Sequence, residues 1–437
     1  MKTLIRIPSF LIALVLALAC IIELSPKAQA VSPAPDGGYP GGNTAEGQDA
    51  LLNLTTGVWN TALGAQALNH DNIGHQNTAT GYQSLFSNTV GGQNTASGAR
   101  SLFSNVDGQE NTAIGYQSLS SNTIGGQNTA SGAWSLVGNV NGLGNTADGY
   151  KALLSNISGA FNTAVGASAL SRNLTGSVNT AIGAGALSRN ANAELNTAIG
   201  GNALEFDRTG SANTAIGYAA LDRNRTGDKN TATGNLALYN NASGSGNTAI
   251  GQGAGFYVVT ASNVTCIGAE VLAANVSNTT WIGNVYGVTT QNATTAPVIV
   301  SADGQLGTVA SSERFKKDIA TMEKASEAIL SLRPVTFHYK TDSKSTPQFG
   351  LIAEEVAKVN SALVLPDKEG KPYTVRYEAV NAMLLNEFLK EHRKVQELEA
   401  NASRQQKRIE ALTAGLQKVS AQLEMSRRAP QTVSNKQ

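Results

Sequence analysis

Few side chains in this chain of 437 residues have the types and spacing that metal binding or acid–base catalysis requires. Glu354 and Glu355 are adjacent carboxylates, but Lys358 lies close by in the sequence, and we expect ordinary solvated charges there. We therefore predict no metal and no cofactor. The histidines, which are isolated and show no metal-ligand spacing, are His70, His75, His338 and His392.

The residues that recur most regularly are those of a scaffold. The tripeptide Asn-Thr-Ala returns every 17 residues, and so strict a period predicts one short unit stacked on itself. The unit is N-T-A-x-G-x-x-(A/S)-L-x-x-(N/D)-x-x-G-x-x, with Gly255 replacing the leucine in the last copy. The twelve copies begin at Asn60, Asn77, Asn94, Asn111, Asn128, Asn145, Asn162, Asn179, Asn196, Asn213, Asn230 and Asn247.

Each unit is predicted to turn twice and to form short strands. Gly81, Gly91 and Asn88 of one copy supply the positive-φ and side-chain-capped conformations of tight turns. The segments between turns are about five residues long, which suits strands rather than helices. The sequence therefore predicts a mainly β fold, a β-solenoid or β-roll rod about 55 to 60 Å long.

The apolar core of one coil is expected to be thin, because its fixed apolar positions hold only Ala, Ala or Ser, and Leu. This is little surface to offset backbone ordering of about 1 kcal/mol or more per residue. We therefore expect three chains to cover one another's coils, and laddered asparagines to satisfy buried turn groups. The position after the fixed alanine is expected to face solvent; it holds Thr80, Ser97, Ile114 and Asp148 in four copies.

The repeats resemble the head repeats of trimeric autotransporter adhesins over residues 58–290. The resemblance implies a left-handed β-roll trimer. After Asn247 the register decays through residues 263–268 to a last degraded coil at 279–283, as expected for the cap of a solenoid. An autotransporter should end in membrane-spanning strands of alternating polarity, which this sequence lacks, and we predict no transmembrane anchor.

The N-terminal residues predict export. Residues 1–30 have a basic start, an apolar run and the small-x-small pattern Ala28-Gln29-Ala30, so they are predicted to be a signal peptide, with Val31 first in the mature chain. A lipoprotein beginning at Cys20 is the alternative. Residues 31–57 are predicted to be a flexible leader. Cys266 would be the only mature cysteine and is expected to be buried, without an intramolecular disulfide.

The composition changes at Ser301, after which the repeats stop and charged residues become frequent. Residues 291–310 are interpreted as a junction and 311–380 as a small α+β domain, with helices at 322–332 and 351–359 and strands at 335–339 and 373–377. Residues 381–425 are predicted to form a coiled coil, and 426–437 a polar tail. The heptad positions hold Val395, Leu398, Ala402, Gln405, Ile409, Leu412, Leu416, Val419 and Leu423.

Residues 311–319, with the sequence SSERFKKDI, resemble the S-D-x-R-x-K-K-x-I opening of the peptidase S74 family, the intramolecular chaperone of phage endosialidases and tail spikes. Residues 334–337, 349–356 and 377–381 are also similar to that family. The resemblance implies a domain that trimerises and folds the protein before it, and then cuts itself off with a Ser/Lys dyad.

In the family register, set by Arg314, the resemblance implies Ser311 as nucleophile, Lys316 as base and Ala310-Ser311 as the scissile bond. The base must be a neutral amine, and burial favours this because the ammonium loses its hydration. A spacing of five residues brings the two together only if the segment turns or the lysine comes from a neighbouring chain. Ser312 stands where the family has Asp, so a dyad of Ser312 and Lys317 is the alternative.

These features together predict a secreted, homotrimeric, fibre-like surface or adhesin protein whose rod binds an unknown surface or glycan ligand. A polysaccharide-degrading tail spike is one alternative, although the repeats have no carboxylate pair at fixed positions. A structural trimer that does not cleave itself is another. A net charge of +1, without a basic patch interleaved with aromatics, argues against nucleic acid as a partner.

Overall fold

The computed structural model describes residues 39–292, 294–301 and 303–427. The chain forms two compact units that divide between Gln291 and Asn292. The predicted signal peptide of residues 1–30, with the alternative start at Cys20, lies outside the described residues, as do Val31 and the rest of residues 31–38.

The first unit is a β-solenoid with one parallel sheet, in which each strand pairs with the strand of the next coil. The mainly β prediction is confirmed, but the strands are three residues long rather than five, and most of each coil is turn. The register joins identical positions, for example Thr112 with Thr129. Strands β1 to β15 are Thr44–Glu46, Thr61–Leu63, Thr78–Thr80, Thr95–Ser97, Thr112–Ile114, Thr129–Ser131, Thr146–Asp148, Thr163–Val165, Thr180–Ile182, Thr197–Ile199, Thr214–Ile216, Thr231–Thr233, Thr248–Ile250, Thr265–Ile267 and Thr280–Ile282.

The solenoid begins one coil earlier than predicted. Asn43 opens a further Asn-Thr-Ala copy, and its Oδ1 accepts a hydrogen bond from the Asn60 N–H at 2.8 Å, as later copies do. Residues 39–57 therefore belong to the rod, and a leader of 31–57 is wrong for that part. At the other end Val264 takes the asparagine position of β14, so the spacing of 17 persists for one more coil before β15.

The repeat core is buried within a single chain. In the coil that starts at Asn128, the third, eighth and ninth residues are Ala130, Ser135 and Leu136, and all three have no exposed surface. The expectation that neighbouring chains must cover this core is therefore wrong: stacking of coils alone covers it. Cys266 replaces the alanine of its coil and is fully buried, as predicted. The position after the alanine is exposed at Thr80, Ser97, Ile114 and Asp148, which confirms that prediction.

Two asparagine ladders run through the interior, as predicted. In the first, Asn128 donates its backbone N–H to Asn111 Oδ1 at 3.0 Å and its Nδ2 to the Gly142 carbonyl at 2.8 Å. In the second, formed by the twelfth residue of most coils, Asn139 Nδ2 donates to Asn122 Oδ1 at 2.8 Å. These bonds satisfy buried backbone and side-chain groups that would otherwise be costly to remove from water.

The two glycines of a coil are favoured for different reasons. Gly81 has a φ of +124°, the conformation that was expected of both. Gly91 has no positive φ; a Cβ there would lie 2.5 Å from Asn88 Oδ1 and from the Gly108 carbonyl oxygen, so the second ladder favours glycine at this position. Ala193 occupies the same position in the coil that starts at Asn179, where Asn190 Nδ2 still donates to Asn173 Oδ1 at 2.8 Å, so the ladder tolerates a methyl group there. The repeat leucine also differs from expectation, since Leu85 has a φ of 50°, which a large side chain rarely adopts.

The second unit is α+β with a small core of Val356, Leu363 and Val375. The helix predicted at 322–332 is a 3-10 helix, Glu323–Ser331, and the other two 3-10 turns are Glu313–Phe315 and Ser361–Leu363. Three antiparallel pairs join β16 to β17, β18 to β19 and β20 to β21. Strands β16 to β21 are Ile299–Val300, Leu306–Gly307, Val335–Phe337, Gln348–Gly350, Val364–Pro366 and Pro372–Val375.

Two α-helices complete this unit, α1 (Ala353–Val359) and α2 (Tyr377–Arg427). The predicted helix of residues 381–425 is confirmed, and it begins four residues earlier and takes in the start of the predicted polar tail; residues 428–437 lie outside the described part. No residue of α2 is buried in the single chain. A coiled coil therefore remains a prediction about assembly.

Candidate functional site

The segment predicted to carry the dyad contains a tight turn. The Phe315 N–H donates to the Ser312 carbonyl at 3.1 Å, and the Lys316 N–H donates to the Glu313 carbonyl at 2.9 Å, which closes the 3-10 turn Glu313–Phe315. Ser312 precedes this turn in an extended conformation and does not cap it with its hydroxyl. The backbone thus turns between the predicted nucleophile Ser311 and the predicted base Lys316.

The single chain does not assemble either predicted dyad. Ser311, Ser312, Lys316 and Lys317 are all exposed, as is Ala310 on the amino side of the predicted scissile bond. Within the described residues, no hydrogen bond or ion pair is formed by the hydroxyl or amine of these four side chains. Their roles stay predictions, because the single chain pairs neither serine with a lysine.

The other motifs of the C-terminal unit lie on paired strands and the helix that follows them. Residues 334–337 lead into and form β18, and β19 pairs with it antiparallel, with Val335 opposite Gly350. Residues 349–356 then continue from β19 into α1. Residues 311–365 match the Peptidase_S74 family, the chaperone of endosialidase. The match starts at Ser311, and we refer to residues 311–365 as the S74 segment.

The S74 match covers part of the predicted domain. It includes the motifs at 311–319, 334–337 and 349–356 and ends before residues 377–381, which the resemblance also included. No curated protein and no solved structure matches the chain. Of the helices in the described part of the chain, none combines the length and apolar character that crossing a membrane requires.

An ion pair joins the connection before β18 to helix α1 of the S74 segment. Arg333 Nε donates to Glu355 Oε2 at 3.1 Å, and Arg333 Nη2 donates to Glu355 Oε1 at 2.5 Å. The guanidinium of Arg333 holds the pKa of the Glu355 carboxyl below its usual range. The interpretation of Glu355 as an ordinary solvated charge near Lys358 was therefore incomplete, since a bidentate pair fixes geometry as well as charge.

A polar cluster around the buried Ser326 anchors the S74 segment to α2. Ser326 has no exposed surface; its Oγ donates to Glu387 Oε1 at 2.5 Å and accepts from Asn386 Nδ2 at 2.7 Å. Lys390 Nζ donates to Glu387 Oε1 at 2.7 Å, and this pairing holds the pKa of Glu387 below its usual range. Asn386 Nδ2 also donates to the Glu323 carbonyl at 3.2 Å. The bonds position α2 against the 3-10 helix.

Sequence reasoning missed the Ser326 cluster, because Ser326 is separated by 60 to 64 residues from its side-chain partners on α2 and none of these residues belongs to a recognisable motif. The hydroxyl is buried and already paired with a carboxylate and an amide. Its geometry suits positioning of elements rather than attack on a substrate.

The same unit has an open apolar groove of about 700 Å³ between the β18–β19 pair, the 3-10 helix and the start of α2. The Leu351 N–H donates to the Tyr377 hydroxyl at 3.0 Å at its base. Phe349 is 81% exposed and Leu384 is 57% exposed, so the single chain leaves much of this apolar surface in water. The remaining side chains that line it are Ile329, Leu332, Pro334, Val335, Thr336 and Val380.

Proposed function

We propose that this is an exported, homotrimeric, fibre-like protein whose second unit drives folding and trimerisation of the solenoid. The observation that carries the proposal is the uncovered heptad row on α2, the helix that follows the S74 segment. Exposures along the row are 47% for Val395, 59% for Leu398, 56% for Ile409, 64% for Leu412, 72% for Leu416, 56% for Val419 and 58% for Leu423.

Association of three helices would remove this row from water. Full burial of one Leu, Ile or Val side chain contributes about 1.5 to 3 kcal/mol, and the row repeats at the 3 and 4 spacing that knobs-into-holes packing needs. The apolar groove beside β18 and β19 supports the same proposal, since an open apolar surface of this kind commonly marks an interface. Gln405 at a core position would fix the register of the helices.

Sedimentation of residues 31–437 tests this assembly. The chain should sediment as a trimer, and Leu412→Asp with Leu416→Asp should yield monomers, because two carboxylates per helix would be buried at the interface. Ala414 lies on the opposite face of the helix from Leu412 and Leu416, so the Ala414→Asp protein should remain a trimer. A monomeric wild-type chain would contradict the proposal.

We further propose that the assembled S74 segment cuts the Ala310-Ser311 bond once. A second chain would bury Lys316, and its neutral amine would accept the Ser311 hydroxyl proton. The oxygen attacks the Ala310 carbonyl carbon while the peptide C–N bond breaks and the Ser311 nitrogen takes up a proton, which leaves an ester. Water then hydrolyses that ester. The support is the family register, which begins at Ser311, and the 3-10 turn that separates Ser311 from Lys316.

A denaturing gel of purified protein tests the cleavage. A fragment comprising residues 311–437 should be released without added protease, and Ser311→Ala should abolish it. Lys316→Arg should also abolish it, because a guanidinium does not deprotonate near neutral pH. Ser312→Ala and Lys317→Ala are the matched controls. If Ser312→Ala and Lys317→Ala abolish cleavage while Ser311→Ala does not, the alternative dyad is the correct one. If the wild-type protein forms trimers and stays uncut, the second unit is a chaperone that does not cleave itself.

In this proposal the solenoid serves adhesion or display, and the second unit serves assembly. The long, regular coils present exposed side chains at fixed spacing along one sheet and its turns, which suits recognition of a repetitive surface ligand. The polysaccharide-degrading alternative has less support, since the acidic side chains change position from coil to coil.

A further inference from the structure

The basic residues of the solenoid are concentrated on a few coils. Between residues 39 and 291 the chain has eight lysines and arginines, and five of them occupy the eleventh or thirteenth position of four consecutive coils. Elsewhere in the repeats these two positions are mostly uncharged. The five are Arg172, Arg189, Arg208, Arg223 and Arg225.

Three of these arginines line one cleft of about 670 Å³ on the solenoid surface. Backbone hydrogen bonds fix their spacing: the Arg172 N–H donates to the Ser188 carbonyl at 3.1 Å, and the Arg189 N–H donates to the Glu205 carbonyl at 3.1 Å. Coils stacked in this way are about 4.8 Å apart. The cleft is lined by Ser155, Arg172, Leu174, Arg189, Ala191, Arg208 and Thr209.

The charge of this cleft is only partly compensated. Arg189 lies 3.8 Å from Glu205 and its guanidinium stacks on the Phe206 ring at 4.0 Å, which holds it in place. Arg172 and Arg208 are exposed, and among the described residues neither forms an ion pair. Two guanidinium groups with unused donors thus flank a third that is fixed, and planar donors of this kind suit carboxylate or sulfate groups.

We infer that this cleft binds an acidic polysaccharide through carboxylate or sulfate groups on successive sugar units. The coil spacing is comparable with the length of one pyranose ring, so a linear chain could place one acidic group near each arginine. Leu174 and Ala191 offer apolar surface to sugar rings, and Ser155 and Thr209 offer hydroxyls. The Phe206 face is already covered by Arg189, so the cleft lacks the free aromatic platform that single-stranded nucleic acid uses.

The inference rests on the proposed role of the solenoid as the binding part of the fibre, and it names the class of ligand. Titration calorimetry of the full chain with alginate oligosaccharide tests it, with dextran of matched length as the neutral sugar and dextran sulfate as the sulfated one. Alginate or dextran sulfate should bind and dextran should not. Affinity should fall as salt rises, because the contacts are between charges near the surface.

Arg172→Gln with Arg208→Gln should weaken binding about tenfold or more, since two charge-assisted contacts are lost. Arg100→Gln with Lys151→Gln removes the same charge from the solenoid outside the cleft and should leave affinity almost unchanged. Arg172→Lys with Arg208→Lys preserves the net charge and should give an intermediate loss of affinity. This variant keeps the test usable if the glutamine variant misfolds. Equal loss in the control pair, absence of binding to both acidic glycans, or tighter binding of a single-stranded DNA oligonucleotide would overturn the inference.

The cleft lies within one chain, so its test is separable from the test of assembly. The variant Leu412→Asp with Leu416→Asp should still bind alginate oligosaccharide at each cleft, even where sedimentation shows monomers. Loss of trimers with binding retained would contradict the assembly proposal alone. Intact trimers that do not bind either acidic glycan would contradict only the inference that the cleft binds an acidic polysaccharide.

Discussion

Replacing Asp207 with asparagine should stabilise the solenoid, because this carboxylate interrupts the second asparagine ladder. Asp207 is fully buried at the twelfth position of its coil, where its Oδ1 accepts from Asn224 Nδ2 at 3.1 Å and from the Gly210 N–H at 3.1 Å, and its Oδ2 accepts from Asn196 Nδ2 at 3.2 Å. In a regular coil the side-chain amide also donates to the asparagine before it, as Asn156 does to Asn139 at 2.8 Å. An ionised carboxylate has no such donor, and burial raises the pKa of Asp207 to about 8.

The sign and size of the effect follow from that pKa. The carboxyl group has an ordinary pKa of 3.8, so between about pH 4 and 8 the unfolded chain releases a proton that the folded chain keeps. The free energy of unfolding therefore falls as pH rises through this window and is level above it. At pH 7, which lies roughly 3 pH units above the ordinary pKa, the free energy of unfolding has fallen by about 4 kcal/mol. The asparagine variant avoids this loss. It gains a ladder hydrogen bond of about 1 kcal/mol and gives up the bond from Asn196 Nδ2, so these two changes nearly cancel.

Thermal unfolding of the full chain, followed by circular dichroism from pH 4 to pH 8.5, measures the effect. Asp207→Asn should raise the unfolding temperature by roughly 10 °C at pH 7 and only slightly at pH 4. Asp107→Asn removes an exposed carboxylate from another coil and should change little at either pH. Burial raises the pKa of Asp71 and of Asp222 to about 6, so a weaker slope below pH 6 should remain. A gain that does not depend on pH would refute the reasoning.

Two further predictions concern the turns and the N terminus. Gly132→Ala should lower the unfolding temperature, because φ at Gly132 is +128° and the new Cβ would lie 2.7 Å from the Gly149 carbonyl oxygen. Gly201→Ala is the control, since its Cβ would meet only ordinary contacts and the unfolding temperature should hardly change. Equal effects of the two substitutions would contradict this prediction. N-terminal sequencing of exported material should start at Val31, whereas a lipid-modified start at Cys20 would show that the lipoprotein alternative is correct.

Much of the solenoid could be predicted, because a strict period forces equivalent residues to meet their own copies. The buried asparagines and the exposed fourth position both follow from that rule. The left-handed backbone of Leu85 could not be predicted, since local preference disfavours it and only stacking on identical coils compensates. The size of the core was misjudged for the same reason: contacts between coils cover side chains that one coil leaves open.

The candidate cleavage site was predictable as residues but not as geometry. Ser311 and Lys316 are identified by a motif, yet their side chains are apart from any partner in one chain, and sequence alone does not say which chain completes the site. The cluster around Ser326 is the reverse case. It is well formed in the structure, but Ser326 is 60 to 64 residues from its side-chain partners, which are of common types, so no pattern marks the cluster.

The repeating ladder also bears on how such a molecule can change its length over generations. Each coil corresponds to 17 codons, and the second ladder joins residues 17 apart, as in Asn122 and Asn105. Unequal recombination between two copies would therefore add or remove whole coils while it preserves both the reading frame and the alignment of the two ladders. The reach of the fibre can thus be altered in steps of about 4.8 Å without a new folding problem.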